Sequence, residues 1–207
     1  MPMRMSSQTL PTGLVTAMLL LVFGTTPALA DWSLDPARSH LAFISIKSEH
    51  IGEVHTFTKM MGHIDQDGHA EVAMMLDSVE TLIPIRDERM RELLFETTNY
   101  AQATLTAKVD PVIVAAMAPG DIADVTAEGV LSLHGQQQSL ILQMQAAKVA
   151  DDKVMVASTK PLIIDAAKFG LGEGVEKLRD IVGLASISHA VPVSFVLTFV
   201  DTPASAQ

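Results

Sequence analysis

Along most of this chain apolar and polar residues alternate with a period of two. The clearest run places Ala101, Ala103, Leu105, Ala107 and Val109 against Gln102, Thr104, Thr106 and Lys108. That alternation predicts a half-buried antiparallel strand. Leu41–Ile46, after the Asp35-Pro36 turn, is rich in β formers. Residues 53–65 read as a further strand ended by Asp67-Gly68, a dipeptide suited to a tight hairpin. His69–Leu76 returns with Val72, Met74 and Leu76 on one face. After a loop over 115–121, Val125, Ala127, Leu131 and Leu133 share one parity. Gly135 makes a turn into a strand carrying Leu140, Leu142 and Met144, and Val154–Ile164 forms another. The last strand, Ile187–Val200, contains Pro192, which cannot donate to a ladder and so marks a bulge or an edge.

The period changes twice between Ser78 and Lys108. Pro84 opens a helical pattern with Met90, Leu93 and Leu94 on one side, and alternation resumes at Ala101. Residues 172–181 read as a second helical turn. Roughly eight short strands with one helical excursion predict an all-β chain. A closed antiparallel barrel is favoured over a parallel α/β sheet, with a β-sandwich as the alternative.

The first thirty residues stand apart from this pattern. Arg4, the apolar run 13–23 and Ala28-Leu-Ala30 form the three regions of a secretory signal, with cleavage expected after Ala30. The run is too short for a spanning helix, so no stable membrane anchor is expected. Residues 31–204 then form one domain and 205–207 a frayed tail. From residue 31 onward 13 basic residues face 24 acidic ones, a balance of −11 with histidine neutral. This disfavours nucleic acid, whose phosphates need a basic stripe. The chain has no cysteine, so an exported fold rests on packing and backbone pairing alone.

Candidate chemistry is sparse. G-x-S-x-G, H-E-x-x-H, a P-loop, a dinucleotide-binding glycine pattern and a cysteine nucleophile are all missing. A Ser-His pair assembled by folding remains open. His50, His55, His63 and His69 crowd one hairpin, but His55 and His63 would lie roughly 27 Å apart on a straight strand; only His63 and His69 are placed to meet across the Asp67-Gly68 turn. Arg86, Arg89 and Arg91 admit two readings. One is a gate for a polar or phosphate head group. The other, favoured, is a solvated helix face paired with Asp87, Glu88 and Glu92.

The ordered run Ser78-Val-Glu-Thr81, Arg86-Asp87, Met90-Arg91, Phe95 and Tyr100 resembles the S-V-D-T, R-D, L-R, D-F and Y-P signature of the YceI-like family of periplasmic lipid- or polyisoprenoid-binding proteins. Supporting matches are Ser39 with Phe43, His50-Ile-Gly52, Phe57 with Gly62, Leu131–Gly135 and Phe169-Gly-Leu171, so the likeness spans Trp32 to Phe199. Thr56, Ala101, Ala166 and Lys168 depart from the pattern, which marks a divergent member. The resemblance implies an eight-stranded lipocalin-like barrel whose lumen holds a long isoprenoid-like or other long-chain lipid. The walls would be Phe43, Phe57, Leu105, Leu131, Leu142 and Phe169, with Leu93, Leu94 and Phe95 closing the mouth and Ala103, Ala107 and Ala127 leaving room. It implies a periplasmic, non-enzymatic binding protein without cofactor or metal, and suggests a homodimer. The rival expectation is a metal-dependent protein or small-substrate enzyme built on the His50–His69 hairpin.

Overall fold

The computed structural model describes residues 31–202. The signal segment, its cleavage point and the 205–207 tail lie outside these residues. Twelve strands form: β1 (Asp31–Leu34), β2 (His40–Lys47), β3 (Ile51–Phe57), β4 (Met60–Ile64), β5 (His69–Met75) and β6 (Val79–Glu80), then β7 (Gln102–Lys108), β8 (Ile122–Leu133), β9 (Gln136–Ala150), β10 (Lys153–Ser158), β11 (Leu162–Asp165) and β12 (Ala190–Thr202). All pairings are antiparallel, and the order β1-β4-β5-β7-β8-β9-β10-β12 closes through β12 onto β1. The remaining pieces extend the same ring at one end: β2 and β11 flank the first half of β12, and β3 and β6 continue from β2. The molecule is an eight-stranded antiparallel barrel in which four staves are each broken into two strands.

The breaks are local and chemically specified. Pro36 starts a 3-10 turn between β1 and β2, and Asp35 caps it by accepting a hydrogen bond from Ala37 N at 3.1 Å. Ser78 holds the break between β3 and β4, its Oγ accepting from Lys59 N at 3.0 Å and its carbonyl from Thr58 N at 3.0 Å. The continuous strands expected over 53–65 and 154–164 are thus corrected to β3 with β4 and β10 with β11. Interruptions let a stave bend, which a small barrel needs.

Pro192 does sit at a bulge. The β2–β12 ladder ends at Val193 opposite Phe43 and touches again only at Ile187 opposite Lys47, so six steps of one chain face four of the other. It is not at a free edge, because Pro192 pairs with Ile163 of β11. The β8–β9 hairpin turns on His134 (φ 50°) and Gly135 (φ 73°), the paired positive values of a tight two-residue loop.

The helix expected after Pro84 is α1 (Pro84–Arg89), which widens into a π turn over Met90–Leu94. Two further helices join it. α2 (Pro111–Ala115) follows β7 at the opposite end of the barrel, with Asp110 accepting from Val112 N at 2.9 Å as its cap. α3 (Gly172–Ile181) packs on the π turn, and Gly174 is where the two meet. A Cβ at Gly174 would lie 2.6 Å from Leu93 O. Only glycine permits that approach. Among the described residues no helix is long and apolar enough to cross a membrane.

Candidate functional site

Among the described residues, inward side chains border three chambers in the barrel and at its mouth. The central one, about 150 Å³, is bordered only by aliphatic, aromatic and methionine side chains. Of the expected walls, Phe43, Phe57, Leu105 and Leu131 border it, as do Leu94 and Phe95 of the lid and the small Ala103. Leu142 and Phe169 do not, although each is only 2% exposed. Leu41, Ile164, Leu171, Phe195 and Leu197 also border the chamber although the sequence reading passed over them. Phe195 and Leu197 share the inward parity of Val193 along β12, whereas Leu171 lies on no strand and carried no such signal.

A line of aromatic rings ties lid to wall. Phe95 packs on Phe57 with centroids 5.6 Å apart, Phe57 stacks on Phe43 at 5.2 Å, and Phe43 meets the edge of His55 at 5.3 Å. The π turn sets Phe95 in this line, its N–H bonding back to Met90 O at 2.8 Å. Phe95 is 5% exposed.

The second chamber, about 330 Å³, lies at the mouth under α1 and α3 and shares Phe43, Leu94, Val175 and Val191 with the central one. Its polar side carries Lys47, Glu53, His55, Arg86 and Arg89. Arg86 is not on a solvated face paired with Asp87, Glu88 or Glu92. Its guanidinium reaches Glu53 Oε2 at 2.6 Å, Thr81 Oγ1 at 2.8 Å and Thr81 O at 2.7 Å. Asp87 instead accepts from Thr81 N at 2.9 Å. These bonds fasten α1 to β3 and β6, and Lys47 adds a 3.0 Å contact to Glu53. The Glu53 carboxyl is held below its ordinary range, first by that Lys47 hydrogen bond and also by the charge of Arg86, against the opposing effect of burial.

His55 is 3% exposed, and its Nε2 shares a 2.8 Å hydrogen bond with Ser45 Oγ. Among the described residues its buried Nδ1 has no hydrogen-bond partner. Burial, and then the charge of Arg86, push its pKa below the usual histidine value, so the ring is neutral near pH 7. Folding therefore does assemble a Ser-His pair, but among the described residues no carboxylate hydrogen-bonds the imidazole as a nucleophile-base pair requires.

The other histidines separate. His63 and His69 do not face each other: His63 sits opposite Glu71, and His69 opposite Lys108. Asp65, Asp67 and His69 bring one ligand atom each within 4.8 Å of one another at the turn. Asp65 is engaged there by hydrogen bonds from Asp67 N, His69 N and His69 Nδ1.

The third chamber, also about 330 Å³, opens at the α2 end and contains Trp32 and Lys148. It shares no side chain with the central chamber. Leu142 lies between Leu140, which borders the central chamber, and Met144, which borders the α2-end chamber. It fills the gap beside Gly129, where an added Cβ would lie 3.1 Å from Leu142 Cδ1. Leu142 is thus the waist of the barrel.

Comparison with known proteins matches this architecture. The YceI-like domain model matches residues 32–199. A solved structure described as a polyisoprenoid binding domain from Saccharophagus degradans implicated in plant cell wall breakdown is 38% identical, with a TM-score of 0.81 over 83% of this chain and 98% of that one. Burkholderia cenocepacia BcnA (19% identity, TM-score 0.60, 80% of this chain and 98% of that one) and the Campylobacter jejuni YCEI protein (16%, 0.51, 72% and 85%) share the fold. Comparison with functionally curated proteins gives no match. The match from Trp32 to Phe199, close to the whole of the barrel, establishes that this chain belongs to the YceI-like domain family.

Proposed function

We propose that this protein is a non-enzymatic carrier that holds a long-chain, isoprenoid-like lipid in the central and mouth chambers. The observation that carries the reading is the central chamber itself, walled without a single polar side chain and bordered by Leu94 and Phe95 of the helical lid. Such a lumen favours a linear hydrocarbon by about 0.8 kcal/mol for each CH₂ removed from water. It offers a polar substrate nothing to bind. The 38% identical relative, described as polyisoprenoid binding, supports the same ligand class. The signal-like residues 1–30 support export, and a periplasmic carrier fits them.

Organic extraction of the purified protein followed by mass spectrometry tests the ligand. A stoichiometric isoprenoid or similar chain is expected. A protein that yields no chain-like molecule, and takes none up from a long-chain isoprenoid alcohol, would sink the proposal. Intact mass of the exported protein reads cleavage after Ala30, and light scattering reads the proposed homodimer, which a single-chain mass would remove.

One observation favours a second reading, an esterase-like activity, namely the 2.8 Å Ser45–His55 contact at the mouth. The missing partner at His55 Nδ1 weighs against it. Hydrolysis of an activated ester that disappears in Ser45→Ala would favour the enzyme; no turnover would favour the carrier.

A further inference from the structure

The chamber at the α2 end has a feature that carriage of a neutral chain does not use. Lys148 lies on β9 in the inward parity of Leu142, Met144 and Ala146, and it is 8% exposed. Its ammonium sits over the Trp32 ring, 4.7 Å from the centroid. Among the described residues no carboxylate forms an ion pair with it, and no hydrogen-bond acceptor stands within reach of Nζ. The side chain is largely buried, yet its ammonium is met only by the face of the Trp32 ring, which leaves its hydrogen-bond donors open to an anion in the chamber. The group faces a chamber of about 330 Å³, within the ~300–1,000 Å³ usual for small-molecule sites.

The charges around it are ordered by depth. Asp110 and Asp151 border the same chamber but are exposed, and Asp110 is occupied in capping α2. Asp65, half-buried, is occupied by its own turn. Asp201, the fourth acid there, is also half-buried. The single cation is therefore inside, and the acids stand nearer the rim. Val125, Met144, Val154 and Phe199 supply apolar wall between them. One interior positive charge matches one negative charge. The acidic surroundings repel a multiply charged anion such as a phosphate dianion more strongly than a monoanion.

We propose that this chamber is a second binding site, separate from the lipid lumen, for a small amphipathic monocarboxylate. Its carboxylate meets Lys148 and its hydrocarbon body lies against Trp32 and the apolar wall. The Leu142 waist keeps this site apart from the central chamber, so it does not depend on what the lumen holds.

Trp32 is the only tryptophan in the chain and lies in this chamber, so its fluorescence reports the site directly. Sodium octanoate titrated into the purified protein is expected to give a saturable change in tryptophan emission. Octan-1-ol and octylammonium should bind at least tenfold more weakly. Lys148→Met should weaken octanoate at least tenfold, and Lys148→Arg should retain it. No saturable response to octanoate, equal binding of octan-1-ol, or unchanged octanoate affinity in Lys148→Met would each overturn the proposal. Should Lys148→Met fail to fold, as read by circular dichroism, the comparison of octanoate with octan-1-ol on the unaltered protein decides alone.

Discussion

The ring of Phe95 on the π turn and the ring of Phe57 on β3 lie 5.6 Å apart, and this contact joins the helical lid to the barrel wall. Both rings border the central chamber. A charge introduced at Phe95 would be buried against Phe57 and Leu94, or would force the lid open. Phe95→Asp is expected to lose lipid retention by tenfold or more, whereas Arg89→Ala at the mouth changes it by less than threefold. Quantifying co-purified lipid in the two variants checks this, and equal losses would defeat the lid assignment.

The Arg86 network at the mouth chamber predicts an effect on stability. Arg86→Met removes three charge-assisted hydrogen bonds and leaves Glu53 with Lys47 alone. A loss of about 2 kcal/mol is expected from such partly buried charged bonds. Arg86→Lys should recover only part of it, because an ammonium cannot reproduce the planar fork. Urea denaturation of the three proteins gives the comparison.

Acid should destabilise the fold in two steps. His55 in the folded protein titrates below its ordinary 6.5, because burial and Arg86 disfavour the imidazolium. The unfolded chain therefore takes up that proton first, and stability falls as pH drops through about 6.5 toward the lower folded value. Glu53 is likewise held below its ordinary 4.5, so its contribution is complete above that pH and is lost as pH falls further. His55→Gln is expected to abolish the first step and leave the second. Melting temperatures from pH 8 to pH 3 will show whether the slope near pH 6 vanishes.

The waist can be opened. Leu142→Ala should cost about 2–5 kcal/mol as a large-to-small change at a fully packed position. It should also join the central chamber to the α2-end chamber, so that longer chains are retained. Mass spectrometry of lipids bound to this variant, offered a mixture of isoprenoid alcohols, reads the shift in length. An unchanged length distribution would mean that Leu142 does not set the depth of the lumen.

Gly174 provides the lid's other constraint. Gly174→Ala places a methyl against Leu93 O and Leu94 Cα, at 2.6 and 2.9 Å before relaxation. Overpacking of this kind costs about 1–3 kcal/mol. Faster lipid release, with the barrel intact by circular dichroism, is the expected signature.

Much of the barrel was legible in the chain, for physical reasons that also explain the gaps. Val125, Ala127, Leu131 and Leu142 announce their strands because parity alone decides which face meets the interior. The breaks at Thr58-Lys59 and Thr159–Pro161 were only faintly legible in the first case and more plainly so in the second. Thr58 and Lys59 upset the alternation at a single position, a weak signal, whereas Pro161 carried a clear one. α2 was missed because Val112, Ile113 and Val114 favour β structure, although Asp110-Pro111 is a helix start. The Arg86–Glu53 pair joins residues 33 apart in sequence, and only the pairing of β2, β3 and β6 brings them together. Lys148 was hidden by its type. Lysine in an alternating strand is ordinarily taken as outward, yet its parity with Leu142 and Met144 already placed it inside.

The π turn has a consequence for chain length. Its wide bond from Phe95 N–H to Met90 O accommodates one residue more than an α-helical turn would between the same two ends. Removing one residue from 91–94 therefore converts the turn to ordinary helix and leaves Phe95 in phase with Phe57. Adding one swings Phe95 about 100° around the axis and away from it. Insertions and deletions at this one point of the chain are not equivalent: the lid can be shortened there and still close, but it cannot be lengthened.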